Sequence, residues 1–152
     1  MRNDLDGIIS YIVDKCRDLK NKYISENFEI DYICVFSHSQ NEYNELIKQA
    51  SFLGKIVDKT NTGPIFKFNN PPQTILGSSK VLKIRIPDKT RLERGDVDFT
   101  TNYPEFKSKY LNNNRFKLIK REKFEMLELR DEEFDVLVYF SSVPPSKLLE
   151  TN

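Results

Sequence analysis

Six polar side chains in the sequence fall where one face of a β-sheet could collect them. Lys83 and Arg85 occupy alternate positions of "VLKIRIP", and Asp96 and Asp98 do the same in "DVDFTT". Because successive side chains of a strand point to opposite faces, each charged pair lies opposite an apolar face. Two tyrosines hold equivalent positions in "FEIDYICVF" and "DVLVYF". The shared face is therefore predicted to carry Tyr32, Lys83, Arg85, Asp96, Asp98 and Tyr139.

This combination of residues supports two interpretations. In the functional one, Arg85 holds a carboxylate or phosphate through two parallel hydrogen bonds, Lys83 adds charge, and the tyrosines supply aromatic walls and hydroxyls. Asp96 could act as a base only if its pKa rose well above about 4, and an adjacent arginine lowers that pKa. In the structural interpretation, the charges of two cations and two carboxylates nearly cancel. The face is then either exposed to solvent or a salt-bridge cluster into which the Tyr32 hydroxyl hydrogen-bonds.

The composition argues against several classes of partner. The 152 residues carry a formal net charge of +1, so no overall field attracts the protein to nucleic acid or to an anionic membrane. No apolar run approaches the ~20 residues that span a bilayer. The segment "MRNDLDGIIS" lacks the apolar region of a secretory signal, so we expect a cytoplasmic protein, a monomer or a small homo-oligomer.

The cysteines and the single histidine suggest no metal or redox motif. Cys16 and Cys34 fall at apolar positions, which predicts buried reduced thiols rather than a disulfide or a zinc site. His38 lies between a predicted strand and the Ser39 helix cap, so we expect a surface or capping residue. The basic run "KLIKREKF" is interrupted by acidic residues, which favours a solvated hairpin over a nucleic-acid patch.

Local patterns predict a mixed chain of helices and strands. "NDLDGIISYIVDKCRDLKNKY" has apolar residues at helical spacing with Asn3 as N-cap, and "SQNEYNELIKQASFLG" has a Ser39–Glu42 capping box and ends at Gly54. Pro104 can open a third helix. Strands are predicted in "FEIDYICVF", "KIVDKT", "PIFKFN", "KVLKIRIP", "DVDFTT", "RFKLIKRE", "KFEMLELR" and "FDVLVYFS", and "SKLLETN" is predicted to be a loosely held tail.

The element order repeats, which predicts an α+β fold with an internal duplication. Residues 28–87 and 95–140 each run strand, helix, strand, strand, strand, as two βαβββ modules. A helix in residues 1–25 precedes them and a tail in residues 141–152 follows, all within a single domain covering 1–152.

This order resembles the vicinal-oxygen-chelate (glyoxalase/dioxygenase) superfamily, and in detail its small YecM-like branch. "IDYICV" is similar to the first-strand motif of that branch, aspartate–histidine–apolar, with Tyr32 in the histidine's place. "GPIFKFNNP" resembles its glycine–arginine–proline-led strand. "IRIP" followed by "DKTRLERGDVDF" resembles its closing strand, loop and next strand. The resemblance spans residues 28–140 and implies a curved mixed sheet forming a half-barrel cup, with helices on its outer face.

The resemblance also bears on cofactors and function. Metal-binding members of the superfamily hold a divalent ion from four positions, which correspond here to Tyr32, Arg85, Asp96 and Tyr139. Only Asp96 is a good ligand for such an ion, and an arginine would repel it. We therefore expect no metal cofactor, and a glyoxalase-like domain that binds a small anionic metabolite in its cup rather than a metal-dependent enzyme of the superfamily.

Two alternatives remain open at this point. One is a noncanonical metal-dependent isomerase or dioxygenase built on Asp96, Asp98 and either Glu125 or Glu128. The other is a protein-interaction module that uses a sheet edge or the N-terminal helix.

Overall fold

The structure, a computed structural model, describes residues 3–150 and contains an eight-stranded mixed sheet with helices packed on it. The helices are α1 (Leu5–Tyr23), α2 (Gln40–Leu53), α3 (Tyr103–Tyr110) and α4 (Pro145–Glu150). The strands are β1 (Glu29–Phe36), β2 (Gly54–Thr60), β3 (Gly63–Phe68), β4 (Gln73–Thr74), β5 (Gly77–Ser78), β6 (Val81–Arg85), β7 (Gly95–Thr100), β8 (Phe116–Lys120), β9 (Glu125–Leu129) and β10 (Val136–Ser141).

The sheet order shows two equivalent halves. The strands run β2-β3-β6-β1-β7-β10-β9-β8. The two halves meet where β1 and β7 pair antiparallel, while β6 and β10 lie parallel to β1 and β7 on either side. The prediction of an α+β fold with two βαβββ modules is therefore confirmed. The short β4–β5 hairpin is inserted between β3 and β6, in a segment where the sequence analysis predicted no strand.

Helix α1 follows the predicted apolar stripe but begins at a different cap. The Asp4 side chain accepts a hydrogen bond from the Gly7 N–H at 3.1 Å, so the expected cap at Asn3 is wrong by one residue. The buried side chains of α1 pack against the central strands, where Gly95 allows close approach. A Cβ at Gly95 would lie 2.6 Å from Cδ1 of Ile12. No helix in the described part of the chain is long and apolar enough to span a membrane.

An aromatic cluster fixes α3 onto the second module. Phe140 on β10 is fully buried. Its ring stacks on Phe106 of α3 with centroids 4.2 Å apart, and on Phe99 of β7 at 5.5 Å. Phe116 meets Phe106 edge-on at 5.9 Å. These contacts anchor the second half of the sheet beneath α3, and the opposite face of β7 and β10 remains available for polar side chains.

The alternation predicted for β6, β7 and β10 matches the observed packing. Their apolar side chains join the core under α1, α2 and α3: Leu82, Ile84, Val97, Phe99, Val136, Val138 and Phe140. The opposite face holds a second, smaller apolar cluster of Cys34, Phe36 and Leu137, with Tyr32 and Tyr139 beside it. This second face is the one that the polar residues share.

Strand β1 departs from simple alternation at Asp31. Its pairing with β7 shifts register between Ile30 and Tyr32, as in a β-bulge, which places one extra residue in the strand. Ile30 and Ile33 are both in the core under the helices. Asp31 instead accepts hydrogen bonds on the opposite face, so the alternation of side chains along β1 is interrupted at the bulge.

The C-terminal segment is a helix rather than a loosely held tail. Asp31 accepts hydrogen bonds from the Ser146 backbone N–H at 2.9 Å and from the Ser146 hydroxyl at 2.6 Å. All four groups of this contact are buried. The bulged carboxylate therefore holds α4 against the face of the sheet opposite α1, α2 and α3.

Candidate functional site

The sheet face opposite α1, α2 and α3 carries a cavity of about 380 Å³, which we call the cup. Strands β1, β6, β7 and β10 form its floor, and α4 contributes Leu148 and Leu149 to its wall. All six side chains predicted to share this face line the cup: Tyr32, Lys83, Arg85, Asp96, Asp98 and Tyr139. The structure therefore brings these residues together, and it adds others that the sequence did not single out.

Strand pairing arranges the charged side chains in rows across the floor. Cys34 pairs with Lys83 on one side and with Asp96 on the other. In the next row, Asp98 pairs with both Tyr32 and Tyr139. The cations thus stand on β6 and the carboxylates on β7, with β1 between them. Two strand spacings separate these backbones by about 10 Å.

Arg85 lies at one end of the cup with spare hydrogen-bonding capacity. Its guanidinium carbon lies 5.5 Å from the centre of the Phe36 ring, and Nη2 is 3.5 Å from Oδ2 of Asp88. Its Nε is buried without a hydrogen-bond partner. Because a guanidinium has five N–H donors, Arg85 retains donors for a bound acid.

Lys83 is a partly buried cation next to Arg85. Its Nζ donates a hydrogen bond to Oγ1 of Thr62, which belongs to the turn between β2 and β3. Burial lowers the pKa of Lys83, and the positive charge of Arg85 lowers it further. A bound anion would oppose both effects, because it favours the charged form of the amine.

Asp96 is the most perturbed carboxyl group in the cup. The side chain is 7% exposed and makes no hydrogen bond within the part of the chain that the structure describes. Burial, followed by the charge of Asp98, raises the pKa of Asp96 to about 8, although Lys83 and Arg85 act in the opposite direction. The expected lowering of this pKa by arginine is present, but burial outweighs it, so the net shift is upward.

Asp98 is buried, and only one of its two carboxyl oxygens has a hydrogen-bond partner among the described residues. Its Oδ2 accepts a hydrogen bond from the Ser141 hydroxyl, whereas Oδ1 is buried without a partner. Burial raises the pKa of Asp98 to about 7, with a further contribution from the charge of Asp31. At neutral pH both Asp96 and Asp98 are therefore mixtures of the acid and the carboxylate.

The two tyrosines differ in their partners. Tyr139 donates a hydrogen bond to Oε2 of Glu128 at 2.7 Å. Tyr32 is partly buried, desolvation raises its pKa, and its polar neighbour is the Cys34 thiol. The predicted hydrogen bond from Tyr32 into an ionic network is therefore wrong. No ion pair joins a cup cation to a cup carboxylate among the described residues, so this face is not a salt-bridge cluster.

The side chains that could bind a divalent metal ion are not grouped together in the described part of the chain. Among residues 3–150, no group of three or more His, Cys, Asp or Glu side chains is placed to hold one. Glu125 forms an ion pair with Lys107 at 2.7 Å, and Glu128 accepts a hydrogen bond from Tyr139. Neither glutamate lines the cup. The set proposed for a metal-dependent enzyme is therefore not assembled, and Lys83 and Arg85 oppose a cation beside Asp96.

The single histidine and the two cysteines were the other residues considered from the sequence. His38 is exposed, and its backbone N–H donates to Oε1 of Glu42 at 2.9 Å at the start of α2. Its ring contacts Arg94 and the backbone of Glu93 rather than the cup. Cys16 and Cys34 are free and buried, and burial raises the pKa of the Cys16 thiol.

Several cup residues come from loops whose position the sequence did not reveal. Arg91 lies in "DKTRLERG" and Arg121 in "KLIKREKF", the run interpreted as a solvated hairpin. Both arginines line the cup, as does Asp58. Arg91 lies outside every predicted strand, so strand parity could assign it no face. Asp58 and Arg121 lie in the predicted strands "KIVDKT" and "RFKLIKRE", whose faces the sequence analysis did not assign. The shared basic character of the two loops was the available signal.

Comparisons with known proteins agree on the fold and leave the activity open. No family model matches the sequence, and no curated protein matches it. A solved structure described as "Structural Genomics, Protein EC4020" superposes with a TM-score of 0.72 at 12% sequence identity. The match covers 97% of this chain and 91% of that chain. At this identity the likeness establishes a shared fold.

Proposed function

We propose that this protein binds a small anionic molecule in the cup without the help of a metal ion. One observation carries the proposal: four cations line the cup, namely Lys83, Arg85, Arg91 and Arg121, and none is ion-paired with a cup carboxylate in the described structure. The opposing acids are partly neutral at pH 7, because the pKa is raised to about 8 for Asp96 and about 7 for Asp98. Even with Asp58 included, the four cations outnumber the three carboxyl groups of the lining, so the cup carries a net positive charge.

The shape and lining of the cup support the same conclusion. A volume of about 380 Å³ falls within the range of small-molecule sites. Aromatic side chains and α4 enclose it, which lowers the local dielectric and strengthens charge-assisted hydrogen bonds. Membership of the YecM-like branch of the vicinal-oxygen-chelate superfamily and a cytoplasmic location belong to this proposal. The paired βαβββ modules are consistent with the first of these.

Replacing Arg85 by Ala is expected to weaken anion binding strongly while the fold survives. Hydrogen bonds to a charged group contribute about 1.5–3 kcal/mol each, so losing this side chain should weaken binding by about tenfold to a hundredfold. The measurement is a thermal-shift and calorimetric screen of phosphate, monocarboxylates and dicarboxylates on both proteins. Arg17→Ala is the matched control, since Arg17 lies on the outer surface of α1 and, among the residues that the structure describes, pairs only with Asp18.

The screen can contradict the proposal in two ways. If no anion stabilises the unaltered protein, the cup is not an anion site. If anions bind equally well to the Arg85→Ala variant, they bind elsewhere. The Arg17→Ala control should bind anions as the unaltered protein does, so it does not alter either conclusion.

A partner-binding surface is the second candidate, and one observation favours it. Phe52 is 77% exposed, and Ile56 and Val57 on the edge strand β2 are 45% and 46% exposed. Helix α1 offers no such surface, because its apolar stripe is buried in the core. If this patch mediates self-association, the molecular mass from light scattering should rise with concentration and return to that of a monomer in Phe52→Asp. A concentration-independent monomer would exclude self-association through it.

A further inference from the structure

We propose that the ligand of the cup is a zwitterion, a small molecule with an acidic group and a protonated amine. The acidic group is bound by Arg85 and Lys83, and the amine is bound by Asp96 and Asp98. This inference rests on the proposed anion-binding function and deepens it by naming the chemical class of the ligand. Amino acids, both α-amino acids and those with the amine further along the chain, are members of this class.

The first observation is the unsatisfied oxygen of Asp98. Asp98 is 5% exposed and lines the cup, and its Oδ1 has no hydrogen-bond partner among residues 3–150. A buried acceptor without a donor is costly, and such groups in native proteins usually mark a missing partner. A ligand N–H group in the cup would supply that donor.

The second observation is the position of Asp96 relative to Asp98. The two carboxyl groups stand two residues apart on the same face of β7, about 7 Å apart along the strand. Asp96 has no hydrogen bond among the described residues. An ammonium group has three donors and no acceptor. It can therefore bond to facing oxygens of both carboxylates at once, which a hydroxyl group cannot do.

The third observation is the separation of opposite charges in the cup. Arg85 and Lys83 lie on β6, and β1 separates them from the carboxylates of β7. A simple anion would leave the Asp98 oxygen unsatisfied, and a simple amine would leave the four cations of the cup without a bound anion. A zwitterion matches both the cations of β6 and the carboxylates of β7. The arrangement therefore discriminates against molecules that carry only an acidic group or only an amine.

Proton linkage gives this proposal a distinctive signature. At pH 7 the two carboxyl groups are partly protonated, and a neighbouring ammonium favours their ionised form. Binding a zwitterion should therefore release protons. An anion that contacts only Arg85 and Lys83 should cause proton uptake, because it raises the pKa of nearby groups. The charged or titratable groups facing the pair are Asp31, Tyr32, Cys34, Lys83, Arg85, Arg91 and Tyr139.

The experiment compares matched probes on the full chain. Glutamate, β-alanine and γ-aminobutyrate are each tested against glutarate, propionate and butyrate, which lack only the amine, together with the standard amino acids. Titration calorimetry at pH 7 in two buffers of different ionisation enthalpy gives affinity and the number of protons exchanged. We expect at least one amine-bearing probe to bind about tenfold or more tightly than its partner, with proton release.

Variants of Asp96 and Asp98 test whether these two carboxylates cause the preference for amine-bearing probes. In Asp98→Asn and in Asp96→Asn, the ratio of affinities within a matched pair should fall toward one and proton release should disappear. Asp18→Asn, an exposed carboxylate on α1, should leave both unchanged. If the simple acids bind as tightly as the amino compounds, with proton uptake, the zwitterion is wrong and the anion site stands. If neither class binds and no inorganic anion binds, the anion site itself is wrong.

Discussion

Replacing Asp96 by Asn is expected to stabilise the protein by about 2–4 kcal/mol at about pH 9 and by much less at about pH 4. The pKa of Asp96 rises from an ordinary 3.8 to about 8 because the carboxyl group is buried. At about 1.4 kcal/mol per pKa unit, ionising it in the fold costs several kcal/mol, which partial hydration of the cup reduces. Asn has the same shape and is never charged.

The direction of the pH dependence follows from linkage. A raised pKa means that the folded state holds the proton more tightly than the unfolded state does. That stabilisation is fully present below pH 3.8 and is lost as the pH rises toward about 8. The unaltered protein should therefore lose stability across this range more steeply than the Asp96→Asn variant. Asp98, with a pKa of about 7, contributes a similar loss that the variant retains.

Urea unfolding of both proteins between about pH 4 and pH 9 measures the effect. Asp18→Asn is the control, since its side chain is half exposed and its removal should change stability by less than about 0.5 kcal/mol at every pH. A difference between Asp96→Asn and the unaltered protein that does not grow with pH would contradict the prediction. Destabilisation of the variant at high pH would mean that ionised Asp96 is paired with Lys83 in solution.

Six strand residues of the cup could be predicted from the sequence, whereas the loop residues and the ionisation of the carboxyl groups could not. Parity within β6, β7 and β10 is a local property, so Arg85, Asp96 and Tyr139 were assigned to the correct face. The bulge at Asp31 was not visible, because it depends on the register between β1 and β7. Without the bulge, the capping of α4 by Asp31 could not be foreseen.

The pKa of Asp96 shows the same limit more sharply. The sequence places an arginine near it, and nearest-neighbour reasoning then lowers the pKa. The observed direction depends on how deeply β7 is buried between β1 and β10, on Asp98 beside it, and on the wall formed by α4. Each of these is a property of the assembled sheet. Charges on known strands can therefore be located from sequence, but their ionisation requires the packing around them.

Replacing Gly63 by Ala is expected to destabilise the protein by about 3 kcal/mol, because two costs add. Gly63 has φ of 142°, a conformation that side chains other than glycine rarely adopt. A Cβ there would also lie 2.0 Å from the Ile84 carbonyl oxygen and 3.1 Å from Cα of Arg85. Both atoms belong to the backbone of β6, so no side chain can turn aside to relieve the contact.

Gly77→Ala separates the free-energy cost of backbone strain from the cost of the close contact with β6. Gly77 also has a positive φ, of 97°, but a Cβ there would meet only the flexible side chain of Glu29 at 3.3 Å. We expect this variant to lose about 1–2 kcal/mol from backbone strain alone. Urea unfolding of the two variants gives both values. Equal losses would show that the close approach of the Gly63 turn to β6 contributes nothing.

The Gly63 variant also connects the scaffold to the cup. The turn that contains Gly63 holds the end of β6: the Ile86 N–H donates to the Thr62 carbonyl at 2.8 Å, and Lys83 donates to the Thr62 hydroxyl. A shift of this turn therefore moves Lys83 and Arg85 together, while Asp96 and Asp98 on β7 stay in place. Folded Gly63→Ala should bind anions more weakly than Gly77→Ala does. Equal affinities would mean that the position of the cations does not depend on this turn.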